Sequence, residues 1–367
     1  MAKTTGSSTP ATYGNALNAS GVVRFLDHVL DVSRRQLSEG VMPSPVCIWG
    51  AHGVGKTQLV EQFARDRDLD FVYLAPAQFE EMGDLIGLPV VEHGRTAYRP
   101  PVWAPLSGKA GILLLDDVNR ADDRILRGLM PLLQYYGLPG WKLPSDWFIV
   151  LTANPDTGDY SVTPLDPAFL TRSLHVTMVF DAEEWAVWAA QAGLPEAGIH
   201  FVLAHPELVG GERTTARSLA QFFRSLSVLE NPMADPFFLH TLGNASLDSL
   251  TTAAFMEFLE QGGDRIPGPA RILGTDDFFV EVGRPLYQLA RKKPEAPAAV
   301  CRRLVLFLRR GQEMPDSPLF RSNLKAFVLQ EVLNPGLRFA LLRDLATVDH
   351  PGIIAVLQDP DVGRSAL

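Results

Sequence analysis

Cysteine is nearly absent: Cys47 and Cys301 are the only two in 367 residues. Neither a disulfide framework nor a cysteine-rich metal site is therefore available. No apolar run reaches the roughly 18 residues that a membrane-spanning helix needs. The opening stretch, MAKTTGSSTPATYGNALNAS, has no apolar segment of the secretory kind and reads as a mobile tail over residues 1–17. A cytoplasmic protein is the default expectation. A basic surplus is missing too, since the net charge is −9, which disfavours a broad non-specific nucleic-acid surface. That charge is uneven. Residues 1–262 carry 18 Lys/Arg against 30 Asp/Glu, whereas 263–367 carry 15 against 12, so an acidic partner would be met in the C-terminal third. What is plentiful is apolar residue, 46% against 20% charged, enough to bury sizeable cores, and the length suggests two or three domains.

The sequence is organised around Pro45–Val60, PVCIWGAHGVGKTQLV: an apolar run, a glycine-rich turn, and the start of an amphipathic helix. The turn is GxxxxGK[ST], with Gly50, Gly55, Lys56 and Thr57 in the fixed places. Backbone N–H groups must close around phosphate oxygens there, which a Cβ would obstruct, and the following helix turns its positive end to the anion. Lys56 is expected on the β- and γ-phosphates of ATP and the Thr57 hydroxyl on Mg2+. Gly53 and Gln58 complete the expected nucleotide contacts.

Two further strands point at the same place. GILLL, residues 111–115, is an unbroken apolar run ending in Asp116 and Asp117, which puts two carboxylates at the carboxyl edge of a parallel sheet, where ligands bind. Asp116 suits holding Mg2+ through water, and Asp117 suits orienting and activating the attacking water. FIVLTANPD, residues 148–156, is a strand ending in Asn154, whose amide would hold that water beside the γ-phosphate. DFVYLAPA, residues 70–77, reads as another buried strand. Between these strands lie two hairpin-like inserts, near 88–103 around His93-Gly94 and near 137–147. Tyr98, Trp103 and Trp141 on them suit either gripping a chain or packing.

From Asp181 the pattern is helical only. Residues 181–262 read as a four-helix unit, in which His200 and His205 lack partner carboxylates at ligand spacing and read as packing residues. GGDRIPGPARILGTDD is loop-like and marks a boundary, and 263–367 hold about five more helical patterns without a catalytic constellation.

With these residues in place the sequence resembles the AAA+ ATPases, and within them the MoxR family of the helix-2-insert clade. The likeness spans about residues 18–262 and rests on GAHGVGKT, on ILLLDD followed by VNRAD, on VLTANPD, on GDLIG with its hairpin, on LPGWKLP, on FLTRS and on TTARS. It implies a P-loop αβα core with a parallel sheet over residues 18–180, an all-α lid over 181–262, and a C-terminal all-α extension. It further implies that Arg172 is an arginine finger reaching a neighbour's nucleotide, and that Arg217 touches the γ-phosphate from its own subunit. The implied function is Mg-dependent ATP hydrolysis in a ring, a hexamer, that remodels a protein partner bearing a von Willebrand factor A domain. Nucleic-acid-driven motors and slow-hydrolysing assembly scaffolds are the alternatives. Three residues depart from the family pattern: Asp117 stands where glutamate is common, Ala216 where the lid signature has proline, and His52 where the loop commonly has proline.

Overall fold

The computed structural model describes residues 13–105, 108–155, 163–262, 267–292, 294, 296–309 and 315–365. They fall into two compact units, Met1–Asp181 and Ala182–Leu367.

The first unit is built on six parallel strands. In chain order its elements are β1 (Ala16–Leu17), α1 (Ala19–Ser38), β2 (Val46–Trp49), α2 (Lys56–Asp66), β3 (Asp70–Leu74), α3 (Met82–Ile86), β4 (Leu88–Glu92), β5 (Arg95–Arg99), β6 (Gly111–Leu115), α4 (Asp123–Tyr135), β7 (Gly137–Leu138), β8 (Trp141–Lys142), β9 (Trp147–Ala153), α5 (Pro167–Leu170) and β10 (Leu174–Met178). The main sheet runs β1-β10-β2-β9-β6-β3. Its central strands β2, β6 and β9 are buried along their whole length, which is why they read as continuous apolar runs rather than alternating ones. The period of two then sends neighbours to opposite faces. Ile112, Leu114, Phe148 and Val150 pack under α1 and α2 with Val22, Leu26 and Phe63. Leu113, Leu115, Ile149 and Leu151 pack against α4 with Ile125, Leu129 and Leu132. Each such side chain contributes about 2 kcal/mol by leaving water, and the result is an αβα sandwich of the AAA+ P-loop type.

The tail reading of residues 1–17 meets an ordered segment. Residues 1–12 lie outside the described residues, but Tyr13 stacks on Trp49 at 4.0 Å, and Ala16 and Leu17 pair in parallel with Thr177 and Met178. Short polar residues around one aromatic conceal a two-residue edge strand. The β4–β5 hairpin turns at His93 and Gly94, both with positive φ, as a two-residue turn requires. Trp103 and Trp141 meet edge to face at 5.1 Å and donate to the carbonyls of Asp84 and Leu85, so both pack the inserts onto α3. Tyr98 remains partly exposed, at 38%.

The second unit is all helix: α6 (Ala182–Gln191), α7 (Glu196–Ala204), α8 (Ala216–Leu226), α9 (Pro236–Ser246), α10 (Ser249–Glu260), α11 (Pro269–Gly274), α12 (Arg284–Lys292), α13 (Ala296–Arg309), α14 (Pro318–Val328), α15 (Pro335–Leu345), α16 (Pro351–Leu357) and α17 (Pro360–Ser365). Three helices depart from the sequence reading, α17 lying beyond the five patterns expected after residue 262. α9 makes the first group five helices, not four, and α11 occupies part of the expected loop. Both begin with proline at the first helical turn, where its missing N–H costs nothing, so a breaker in the sequence is a starter in the fold. Gly243 inside α9 is needed for contact, because a Cβ there would lie 2.4 Å from Thr252. Phe255 is the hub of one core, with ring centroids 5.1 Å from Phe201, 5.4 Å from Phe222 and 5.5 Å from Phe223. A second core gathers Leu304, Leu324, Phe327 and Ile353. Residues 182–262 and 263–367 fall within the same compact unit, each with its own core. His200 is buried and takes a hydrogen bond from Arg303, itself near Glu196. Burial, then the Arg303 charge, push the His200 pKa well below its ordinary value. A neutral, enclosed imidazole is a packing group.

Candidate nucleotide-binding site

The parallel register assembles the site. Trp49 lies opposite Ala153 and Leu115 opposite Leu151, so the residues that follow β2 and β6, and the last residues of β9, emerge at one edge of the sheet. There the chain turns sharply after β2. Gly50 packs against β10, where a Cβ would sit 2.6 Å from the Met178 carbonyl oxygen. Gly55 caps α2 with φ +107°, a conformation that L side chains avoid. Gly53 is buried within the loop, and Gln58 is exposed on α2.

Lys56 is 6% exposed. Its Nζ donates to the carbonyls of Gly50 (2.7 Å) and Ala51 (3.2 Å) and to Asn154 Oδ1 (3.0 Å). The Thr57 hydroxyl donates to Asp116 Oδ1 at 2.8 Å, and Tyr73 donates to Asp116 Oδ2 at 3.2 Å. Asn154 Nδ2 donates to Asp117 Oδ1 at 2.9 Å. A cation on its oxygen and a carboxylate on its nitrogen fix the orientation of that amide. Five of the residues singled out in sequence, Lys56, Thr57, Asp116, Asp117 and Asn154, therefore form one connected network.

Besides Tyr73, three side chains that the sequence reading assigned no role complete it. Thr152, fully buried, donates from Oγ1 to Asp116 Oδ1 at 2.7 Å and accepts the Asp117 N–H at 2.8 Å. It locks the two aspartates to β9. Asn119 clasps the backbone of Asn154, donating to its carbonyl at 2.7 Å and accepting its N–H at 3.1 Å. Arg120 pairs with Asp117 Oδ2 at 3.0 Å. The available signals were a polar residue inside a buried strand, two positions before Asn154 and so on the same face, and two polar residues in the turn after the aspartates.

Thr57 and Asp116 offer a hydroxyl and a carboxylate within hydrogen-bond reach of each other. Hard oxygen donors of this kind suit Mg2+, which keeps most of its shell as water and phosphate oxygens. Among the described residues no group of three or more His, Cys, Asp or Glu side chains could hold a metal alone. Arg172 is not part of the network. Its guanidinium donates to the Ala168 carbonyl and, from Nε, to Gln134 Oε1 at 3.4 Å, beside a surface hollow lined by Met42, Pro43, Ser44 and Leu133. Arg217 is exposed in the first turn of α8.

Residues 45–173 match the family described as AAA domain (dynein-related subfamily), the span that holds the loop, both aspartates, Asn154 and Arg172. Fold, loop and family match define this part of the chain as an AAA+ ATPase domain. A search of curated proteins finds no match. Among solved structures, the chain is similar to the Thermotoga maritima RuvB Holliday junction branch migration motor, at 15% identity over 81% of this chain and 90% of that one, with a TM-score of 0.37. It is also similar to a closed-state cryo-EM reconstruction of Hsp104 with ATPγS and FITC casein, at 15% identity over 59% of this chain and 45% of that one, TM-score 0.41. No helix among the described residues is long and apolar enough to cross a membrane.

Proposed function

We propose that the protein hydrolyses ATP and that a MoxR-like ring of six of its subunits, a number taken from the resemblance, uses the cycle to remodel a protein partner bearing a von Willebrand factor A domain. The observation that carries the hydrolytic part is the pairing of Asp117 with Asn154 at the end of a network that starts at Lys56. Phosphate oxygens are stronger acceptors for the Lys56 ammonium than the neutral carbonyls of Gly50 and Ala51, so ATP would draw Nζ onto its β- and γ-phosphates. Mg2+, when bound at Thr57 and Asp116, would neutralise charge developing on the phosphate oxygens. The Asn154 amide orients the water, and an Asp117 carboxylate oxygen accepts its proton as oxygen attacks the γ-phosphorus and ADP leaves. Positioning and charge stabilisation supply most of the rate.

The MoxR part is supported by the short helix α3 with the β4–β5 hairpin, and by the β7–β8 hairpin ahead of β9. Arg172, which among the described residues bonds Ala168 and Gln134 rather than the network, suits a role across a subunit boundary, and Arg217 one within its own subunit. The test is purified protein with Mg·ATP. The wild type releases phosphate, and Asp117→Asn binds ATP as tightly but turns over about 10²- to 10⁴-fold more slowly. The same variant, held in its ATP state, retains the partner. Wild-type turnover in Asp117→Asn would sink the catalytic assignment.

A further inference from the structure

Both oxygens of the proposed catalytic base are already engaged. Oδ1 of Asp117 accepts from Asn154 at 2.9 Å, and Oδ2 lies 3.0 Å from Arg120 Nε. The backbone makes the second contact possible. Asp117 is left-handed, with φ +49°, an uncommon state for a residue with a side chain. Its carbonyl accepts the Arg120 N–H at 2.9 Å, closing a turn over Val118–Arg120. That turn folds the guanidinium back onto the carboxylate three residues earlier. The Asp117 N–H bond to buried Thr152 holds the conformation from below.

We propose that Arg120 is a latch on Asp117, a positioning residue that restrains the base until it is drawn away. The inference rests on the hydrolytic reading above and names a control on the same site. A carboxylate that accepts from an amide on one oxygen and pairs with a guanidinium on the other has about half of its roughly four acceptor sites taken and is held in one orientation, so it is less free to turn toward the attacking water. The two restraints differ in how they open. Asn154 is joined to Lys56, so phosphate binding acts on that side of the base directly. Among the described residues Arg120 has no such link to the phosphate loop; its side chain is 41% exposed and Asp117 33%. The latch is thus partly solvated, and weak enough to be opened. A pair of this exposure restrains by a small factor.

The experiment compares ATP turnover and nucleotide binding in the full-length wild type, Arg120→Ala and Arg120→Lys at matched, assembled concentrations. Arg120→Ala should raise kcat by about two- to five-fold with KM and ATP affinity unchanged. Arg120→Lys keeps the charge and should restore most of the restraint, an ordering that a merely structural role would not produce. A kcat that is unchanged or lower in Arg120→Ala, with the protein folded and ATP bound, overturns the latch. If ATP binds but neither the wild type nor any variant releases phosphate, the hydrolytic reading fails and the latch fails with it; a latch that fails alone leaves wild-type turnover intact.

Discussion

Both units bury polar side chains, and they use them differently. In the first unit Lys56, Thr152, Asn154 and Asn119 come from three strand ends and converge on two half-buried carboxylates. In the second, apart from the enclosed His200–Arg303 pair, buried polar groups close helix ends. Thr215 caps α8, Thr214 and Asp248 tie the segments ahead of α8 and α10 together, and Asn323 donates to the carbonyls of Leu273 and Thr275 at the end of α11. Asp248 is held below the usual carboxylate range by hydrogen bonds from Thr214 and Arg213 and by the Arg213 charge, which outweigh its partial burial. Burial of polar atoms does not by itself mark a site. Convergence of such atoms from several elements onto groups that reach solvent does, because only that arrangement leaves oxygen atoms for a ligand.

The division makes its largest prediction at Arg172. Arg172→Ala should lose about 10³-fold or more in turnover with no loss of folding stability, since among the described residues its guanidinium bonds one carbonyl and one glutamine. Mixed with Lys56→Ala subunits, themselves inactive, it should regain activity, because an intact loop then faces an intact arginine across an interface. A Lys56→Ala, Arg217→Ala double variant should complement equally well, both losses being on one subunit. Absence of recovery in mixed rings confirmed by mass would refute the trans role.

Phe255 tests the other side of the comparison. Phe255→Ala removes the hub of three ring contacts at a fully buried position and should cost about 3–5 kcal/mol in denaturant unfolding. A cost below about 1 kcal/mol would mean that this core collapses around the gap, and that the second unit is less tightly packed than its ring geometry implies.

How far the sequence could be read follows from where each signal lies. The phosphate loop and the aspartate pair were legible because their spacing is local: glycines, lysine and threonine occupy fixed places in eight residues, and a five-residue apolar run ends in two carboxylates. The pairing of β6 with β9 is not local, so Thr152 was invisible as a partner of Asp116 until the register placed it there. Asn119 and Arg120 were visible as letters, but their contacts depend on the left-handed turn at Asp117, which propensity does not predict. The helices of the second unit were found wherever apolar periodicity was strong. α9 and α11 were missed where proline and glycine carried the opposite local signal.

The smallest effect is expected at the start of α8, and it sets the boundary between the two kinds of polar burial. Thr215 Oγ1 accepts the Ser218 N–H at 3.2 Å, and the Thr215 N–H donates to Ser218 Oγ at 2.8 Å, a reciprocal cap that satisfies two donors a helix start would otherwise leave bare. Thr215→Ala should cost about 1 kcal/mol of stability, read as a shift in denaturant midpoint, while Thr215→Ser, which keeps the oxygen, should cost less. Arg217 follows two residues later in the same turn. If the cap is structural only, turnover per folded molecule stays at the wild-type value in both variants. A fall in turnover at unchanged stability would instead mean that the cap orients Arg217 for the nucleotide, and that this helix start in the second unit belongs with the chemistry of the first.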